Sequence, residues 1–226
     1  MGSVPTFQLM LVFAVVTFGL FRAYLRMQAR DERENALETW PAQNGFESSY
    51  QPTGSTPTLE ADNGHAGPCF AVPVGEQEAA MFAFSYTIGS GRDQVDVETT
   101  LVQAVLAAGF PHFRVLPAHA DRLPPGPGDE HEVQLESIEF QHAHRLLAAR
   151  GGDLDALMRL FDPEMIVWWL DQGSLAPIVE YQMGTLVVRS TVPLDESAQY
   201  DMLLAHAQKI ATGVLAQGSL HRAPIS

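Results

Sequence analysis

His142 and His144 stand two residues apart, the spacing that puts two side chains on one face of a strand. With Glu139, His131 or His119 they supply the donor types of a zinc site. No spacing typical of a structural zinc site occurs, and there is no His-Glu-x-x-His. These imidazoles therefore read by default as surface or hydrogen-bonded groups, and no metal or other cofactor is expected. Glu136 and Ser137 are the residues on which a hydrolase would be built. A serine nucleophile needs a base within hydrogen-bond reach and an oxyanion hole. The Gly-x-Ser-x-Gly elbow is absent, and the pair reads more simply as satisfying backbone groups at a turn. Gly89, Gly91 and Arg92 have the composition of a phosphate cradle but lie between two strand patterns, where a hairpin turn explains them. Cys69 is the sole cysteine, so no intrachain disulfide exists, and it reads as inert. Trp168 and Trp169 are adjacent and point in different directions on a helix. One belongs in the core, and the other is expected to be an exposed interface anchor. The chain is thus expected to be an interaction protein. A membrane-anchored hydrolase or ligand-binding enzyme using Glu136, Ser137 or the histidines is the alternative.

The elements that position these residues are mixed α and β. Phe82, Phe84, Tyr86 and Ile88 alternate with small or polar residues, as in a strand with one apolar face. GSGRD supplies a turn, and the alternation resumes from Val95 to Leu106, predicting an antiparallel hairpin. His112 to Leu116 is a third strand, stopped by Pro117, and LPPGPGD from Leu123 to Asp129 is a loop. From Val133 to Ala149 the pattern is ambiguous and is read as a short segment over 135–140 followed by a strand. Asp153 caps a helix in which Leu154, Leu157, Met158 and Phe161 share a face. Asp162-Pro163 opens another, with Met165, Ile166, Trp169 and Leu170 as its buried stripe. Strands over 176–182 and 185–190 meet at Met183-Gly184. An amphipathic helix over 195–216 closes the chain, with Tyr200, Leu203, Leu204, Ala207, Ile210, Ala211 and Val214 at helical spacing.

Ahead of this domain lies FQLMLVFAVVTFGLF, Phe7 to Phe21, fifteen residues without a charge. Counted from Val4 the uncharged run is eighteen residues and ends at Arg22, near the length that crosses a bilayer core as a helix. A cleaved signal peptide would want a positive start and a small-residue cleavage site, and neither is present. A buried or peripheral helix in a larger assembly is the other rival. Arg22, Arg26, Arg30 and Arg33 follow the run and none precedes it, so the positive-inside bias places the bulk of the chain in the cytoplasm. An exported domain is the competing topology. The helix is expected to continue to Pro41.

Residues 42–68 are rich in Gly, Pro, Ser and Thr and lack Lys and Arg, the composition of a flexible tether. The remaining 158 residues suit one domain with a real core. That part carries a formal charge of −11 within a whole-chain charge of −14. A surface so acidic repels nucleic acid and favours basic or neutral protein partners.

Four pieces, in order, resemble a family of bacterial membrane-anchored proteins known as a domain of unknown function. They are AFSYTIGSGRD with its Gly-Ser-Gly hairpin, FPHFRVLP, the Glu-Ser-x-x-Phe element at Glu136, Ser137 and Phe140, and LFDPEMIVWWL, which is similar to an Asp-Pro-x-Met-x-x-Trp-Leu helix. The resemblance spans about 83–218. The chain departs from the pattern at Gln141 to His144, where the family tends to carry Asn and Arg. The resemblance implies a membrane tether and an α+β domain, and no established activity.

The expectation is therefore an α+β protein: one N-terminal transmembrane helix plus a soluble domain of antiparallel strands and two to three packed helices. Its parts are a membrane and juxtamembrane helix over 1–40, a flexible linker over 41–68 and a cytoplasmic domain over 69–226. Its expected contacts are the lipid bilayer through residues 4–21 and a protein partner, with no nucleic acid.

Overall fold

The computed structural model describes residues 6–106, 109–119, 126 and 128–220, with the side chains of 6–12, 26, 29–35, 38, 219 and 220 outside the description. Among the described residues nine strands form one sheet: β1 (Ser48–Ser49), β2 (His65–Ala71), β3 (Glu78–Ile88), β4 (Val95–Val105), β5 (Phe113–Pro117), β6 (Glu130–Glu132), β7 (His144–Ala149), β8 (Ile178–Gln182) and β9 (Thr185–Arg189). Their order is β1-β2-β3-β4-β9-β8-β5-β7-β6, and every pairing is antiparallel. The helices are α1 (Thr6–Asn44), α2 (Ile138–Ala143), α3 (Leu154–Leu160), α4 (Pro163–Asp171) and α5 (Ser197–Leu220). The α+β class with antiparallel strands and several helices is therefore as the sequence predicts.

The strand pairings follow from local chemistry. β3 and β4 pair over their full lengths, from Ile88↔Val95 to Glu78↔Val105, around the Gly-Ser-Gly turn. β8 and β9 join through Met183 and Gly184, whose φ values of 46° and 84° are both positive, as a two-residue type I′ connection requires. β9 (TLVVR) is buried along its whole length because both faces of the sheet are covered.

One face packs under the helices. Met81, Val102, Val188, Val179, Tyr181, Phe113 and Leu146 meet Leu157, Trp169, Leu203, Ala207 and Val214 there. The alternate residues Phe82, Phe84, Tyr86, Leu101 and Val187 form a second cluster on the opposite face, beneath Leu59 and Ala61. In α3 the buried residues are Ala156, Leu157 and Leu160, with Phe161 after them. Leu154 and Met158, expected on that stripe, are exposed at 41% and 38%. Asp153 caps the helix through a 2.9 Å bond from the Ala156 N–H, and this phases the helix so that Ala156 faces inward.

Two expectations about the N-terminal third differ from the structure. Pro41 does not end α1, which runs 39 residues to Asn44. Trp40 and Pro41 are buried in the domain, and the Asn44 side-chain amide donates back to the Trp40 carbonyl at 3.0 Å. Tertiary burial there outweighs the local proline penalty. Residues 42–68 are built into the domain instead of forming a loose tether, with 51–62 laid as a strap over the second face of the sheet. They include β1 and the first half of β2, so the expected boundary at residue 69 falls inside a strand. Gln103 donates to the Pro52 carbonyl at 2.7 Å, Thr56 and Thr58 are fully buried, and a Cβ at Gly54 would collide with Thr185. A composition argument weighs the apolar surface of the segment alone. Here polar side chains of the sheet supply the partners.

Among the described residues no helix is long and apolar enough to cross a membrane. The apolar run expected to do so is divided: residues 1–5 lie outside the described residues, as do the side chains of 6–12. The described part of the run, Phe13 to Phe21, is helical and exposed throughout.

Candidate functional site

The most unusual chemistry lies beneath the strap formed by residues 51–62. Arg114 on β5 and Glu180 on β8 are register partners whose side chains share the strap face, with Arg114 Nη2 3.5 Å from Glu180 Oε1. Arg114 Nη1 lies 3.2 Å from Glu130 on β6, whose other oxygen is 2.6 Å from His112 Nε2. Thr58 completes the cluster from the strap: its N–H and its hydroxyl donate to the two oxygens of Glu180 at 2.8 and 2.9 Å. Arg114 is 2% exposed and Glu180 0%. Charges this deeply buried persist only when paired and hydrogen-bonded.

Burial alone would raise the Glu130 carboxyl. The hydrogen bond from His112 and the positive charges of Arg114 and His112 outweigh it and hold the group below the usual carboxylate range. Arg189 on β9 is also buried, its guanidinium 5.7 Å from the centre of the Tyr86 ring. Burial pushes the Tyr86 phenol up, and the neighbouring Arg189 charge opposes that rise. The ion-paired cluster is Arg114 between Glu130 and Glu180, with His112 on Glu130. Its geometry clamps a polar strap to a sheet.

Sequence reasoning did not single out Arg114, Glu130, Glu180 or Arg189. A signal was present: Arg114, Glu180 and Arg189 are each the one charge in an otherwise apolar strand (FRVLP, IVEYQ, TLVVR). Such a charge must find a buried partner.

A cleft of about 410 Å³ opens on the helix face of the sheet, bordered by α1 and α5. Its floor is Ala83 and Ser85 of β3 with Thr100 of β4. Its walls include Leu37 of α1, Phe70 of β2 and Tyr200 of α5. Beside it α1 is fastened to α5. Trp40 stacks on Tyr200 at 5.6 Å, and its indole N–H donates to Asp201 Oδ1 at 2.9 Å.

The residues singled out for chemistry are dispersed. Ser137 is the N-cap of α2: its hydroxyl oxygen accepts the Phe140 N–H at 3.2 Å and its O–H points to Glu139 at 3.4 Å. Glu136 is exposed next to it, and the turn-satisfying reading describes Ser137 well. His142 and His144 do not share a strand face. His142 is exposed on α2, whereas His144 begins β7 and is buried between Phe140 and Trp169, with ring centroids 5.1 and 5.4 Å away. The capped turn of helix at 138–143 replaces the strand that the spacing argument assumed. Among the described residues no group of three His, Cys, Asp or Glu is placed to hold a metal ion. Trp169 is a core residue at 1% exposure. Trp168 is half-buried, edge-on to His206 at 5.3 Å, so neither tryptophan is a freely exposed anchor. Of the four flanking arginines, Arg22 sits on α1 over the Phe18 ring at 5.5 Å, and the side chains of Arg26, Arg30 and Arg33 lie outside the described residues. Residues 123–125 and 127 of the expected loop also lie outside them.

The arrangement defines a class by architecture: a nine-stranded antiparallel sheet, helices on one face, a strap on the other, and a long leading helix locked to the last one. Among solved structures the chain is similar to the mycobacterial trehalose monomycolate transport factor A, TtfA. The TM-score is 0.57 at 12% identity, over 80% of this chain and 93% of that one, which is a likeness of fold. No family model and no curated protein matches the sequence.

Proposed function

We propose that this chain is a membrane-tethered accessory protein. In this reading the apolar run of residues 4–21 crosses the bilayer, and Arg22, Arg26, Arg30 and Arg33 keep the domain on the cytoplasmic side. The acidic domain then docks on a protein of a membrane complex. One observation carries the reading. Nine large apolar side chains between Phe13 and Met27 are exposed on α1, on a helix whose other end is locked into the folded domain. A helix that is apolar all round and uncovered belongs in lipid or against a partner helix. The fold likeness to a protein titled a transport factor supports an accessory role in transport, by analogy of fold alone. An enzymatic role for Glu136 and Ser137 finds no support in a serine whose hydroxyl caps a helix.

The docked Trp40 changes how such a tether works. The domain is held at a fixed offset from the bilayer by a continuous helix, so a partner is met at one height and in one orientation. Purification of the full chain from membranes in mild detergent should bring down a membrane protein in stoichiometric amount. Recovery of a monodisperse single species would contradict this reading.

A further inference from the structure

The cleft between α1, β2–β4 and Tyr200 is large enough for a ligand, and its lining states a preference. Its walls include apolar side chains of Leu37, Phe70 and Tyr200. Its polar groups are the hydroxyls of Ser85 and Thr100 and, at the exposed edge, Glu98 and His65. Among the described residues no Lys or Arg lines it, and the whole chain carries −14. An anionic head would meet the Glu98 carboxylate and, among the described residues, no Lys or Arg. A head that donates hydrogen bonds would find Glu98 and the hydroxyls as acceptors.

Position narrows the class further. Leu37 is on the helix that carries the exposed apolar residues, ten positions beyond Met27, the last of them. Measured from Arg22, where the proposed span ends, the fifteen helical residues to Leu37 rise about 22 Å, about the thickness of one leaflet with its headgroups. We propose that the cleft binds the alkyl chain of a membrane amphiphile whose head is uncharged or cationic and donates hydrogen bonds. This rests on the reading of residues 4–21 as a membrane span, which sets the mouth of the cleft about one lipid length from the bilayer core.

The test uses the full chain in phosphatidylcholine nanodiscs with hexadecylamine carrying a terminal diazirine, photolysed and mapped by mass spectrometry. Labelling is expected on peptides containing Phe70, Phe84 or Tyr200. Ser85→Trp, which fills the floor, should lower it at least about tenfold, the equivalent of denying two methylenes their burial. Thr87→Trp, on the same strand outside the cleft, should leave it unchanged. Unlabelled hexadecanol should displace the label from the unmodified chain, so the result does not hang on Ser85→Trp folding, and a hexadecanoate probe should label the cleft more weakly than the amine. Label confined to residues 7–27 overturns the cleft proposal and leaves the membrane span standing. Label in the cleft with none on 7–27 supports the cleft and overturns the span. Label at neither place overturns both.

Discussion

The indole N–H of Trp40 donates to the carboxylate of Asp201 at 2.9 Å, across 161 positions of sequence, while its ring stacks on Tyr200. This one contact joins the helix that begins in the apolar run to the helix that ends the domain. Trp40→Phe keeps the stack and removes the donor, and should cost about 1 kcal/mol in chemical denaturation of the full chain in detergent micelles. Trp40→Ala should cost about 3–5 kcal/mol, because the ring is fully buried. In the Phe background, Asp201→Ala should add little. Additive losses would show that the two residues act independently.

His206 sits on α5 against Trp168, and its Nε2 is 2.9 Å from Gln172 Oε1. Burial lowers its pKa from the ordinary 6.5 to about 4, and burial lowers His144 as well. Between these limits the unfolded chain binds the proton and the folded one does not. The contribution of His206 is therefore complete above about pH 6.5 and is lost as pH falls toward 4, by about 3 kcal/mol in all. His206→Gln should flatten the stability profile over that window. Glu130, held low, begins to lose its contribution as pH falls below the ordinary 4.5, at the acid end of that window. An unchanged slope in the variant would contradict the assignment.

Glu180→Gln leaves Arg114 with one fewer charge partner in the interior and weakens the acceptors of Thr58. The expected loss is about 3 kcal/mol. Limited proteolysis should then cut within residues 51–62 much faster than in the unmodified chain. Cleavage at the original rate would show that the strap is held by its apolar contacts alone.

Cys69 is buried, and burial raises its thiol pKa, so it is a poor reporter of topology. Tyr50 is 93% exposed, just after β1. In a Tyr50→Cys, Cys69→Ala chain, an impermeant maleimide should label lysed cells and spare intact ones. Labelling of intact cells would favour an exported domain.

Much of the fold was legible because local signals agreed. Aromatic alternation set β3, a Gly-Ser-Gly turn set the hairpin, Asp153 and Asp162 capped their helices, and seven residues at helical spacing between Tyr200 and Val214 lie buried in α5. What was missed depends on distant partners. β1 and the early part of β2 lie in polar chain that pairs because an edge of the sheet is available. Trp40, preceding a proline, gives no hint that Asp201 will accept its proton. The ionic cluster is assembled from β5, β6, β8 and the strap, and its members reveal themselves in sequence only as charges out of place.

Carbonate washing of membranes from cells producing the full chain bears most directly on the account. A helix threaded through lipid keeps the protein in the membrane pellet at high pH, together with peptides from residues 7–27 shielded from added protease. Release of the intact chain into the supernatant would contradict it.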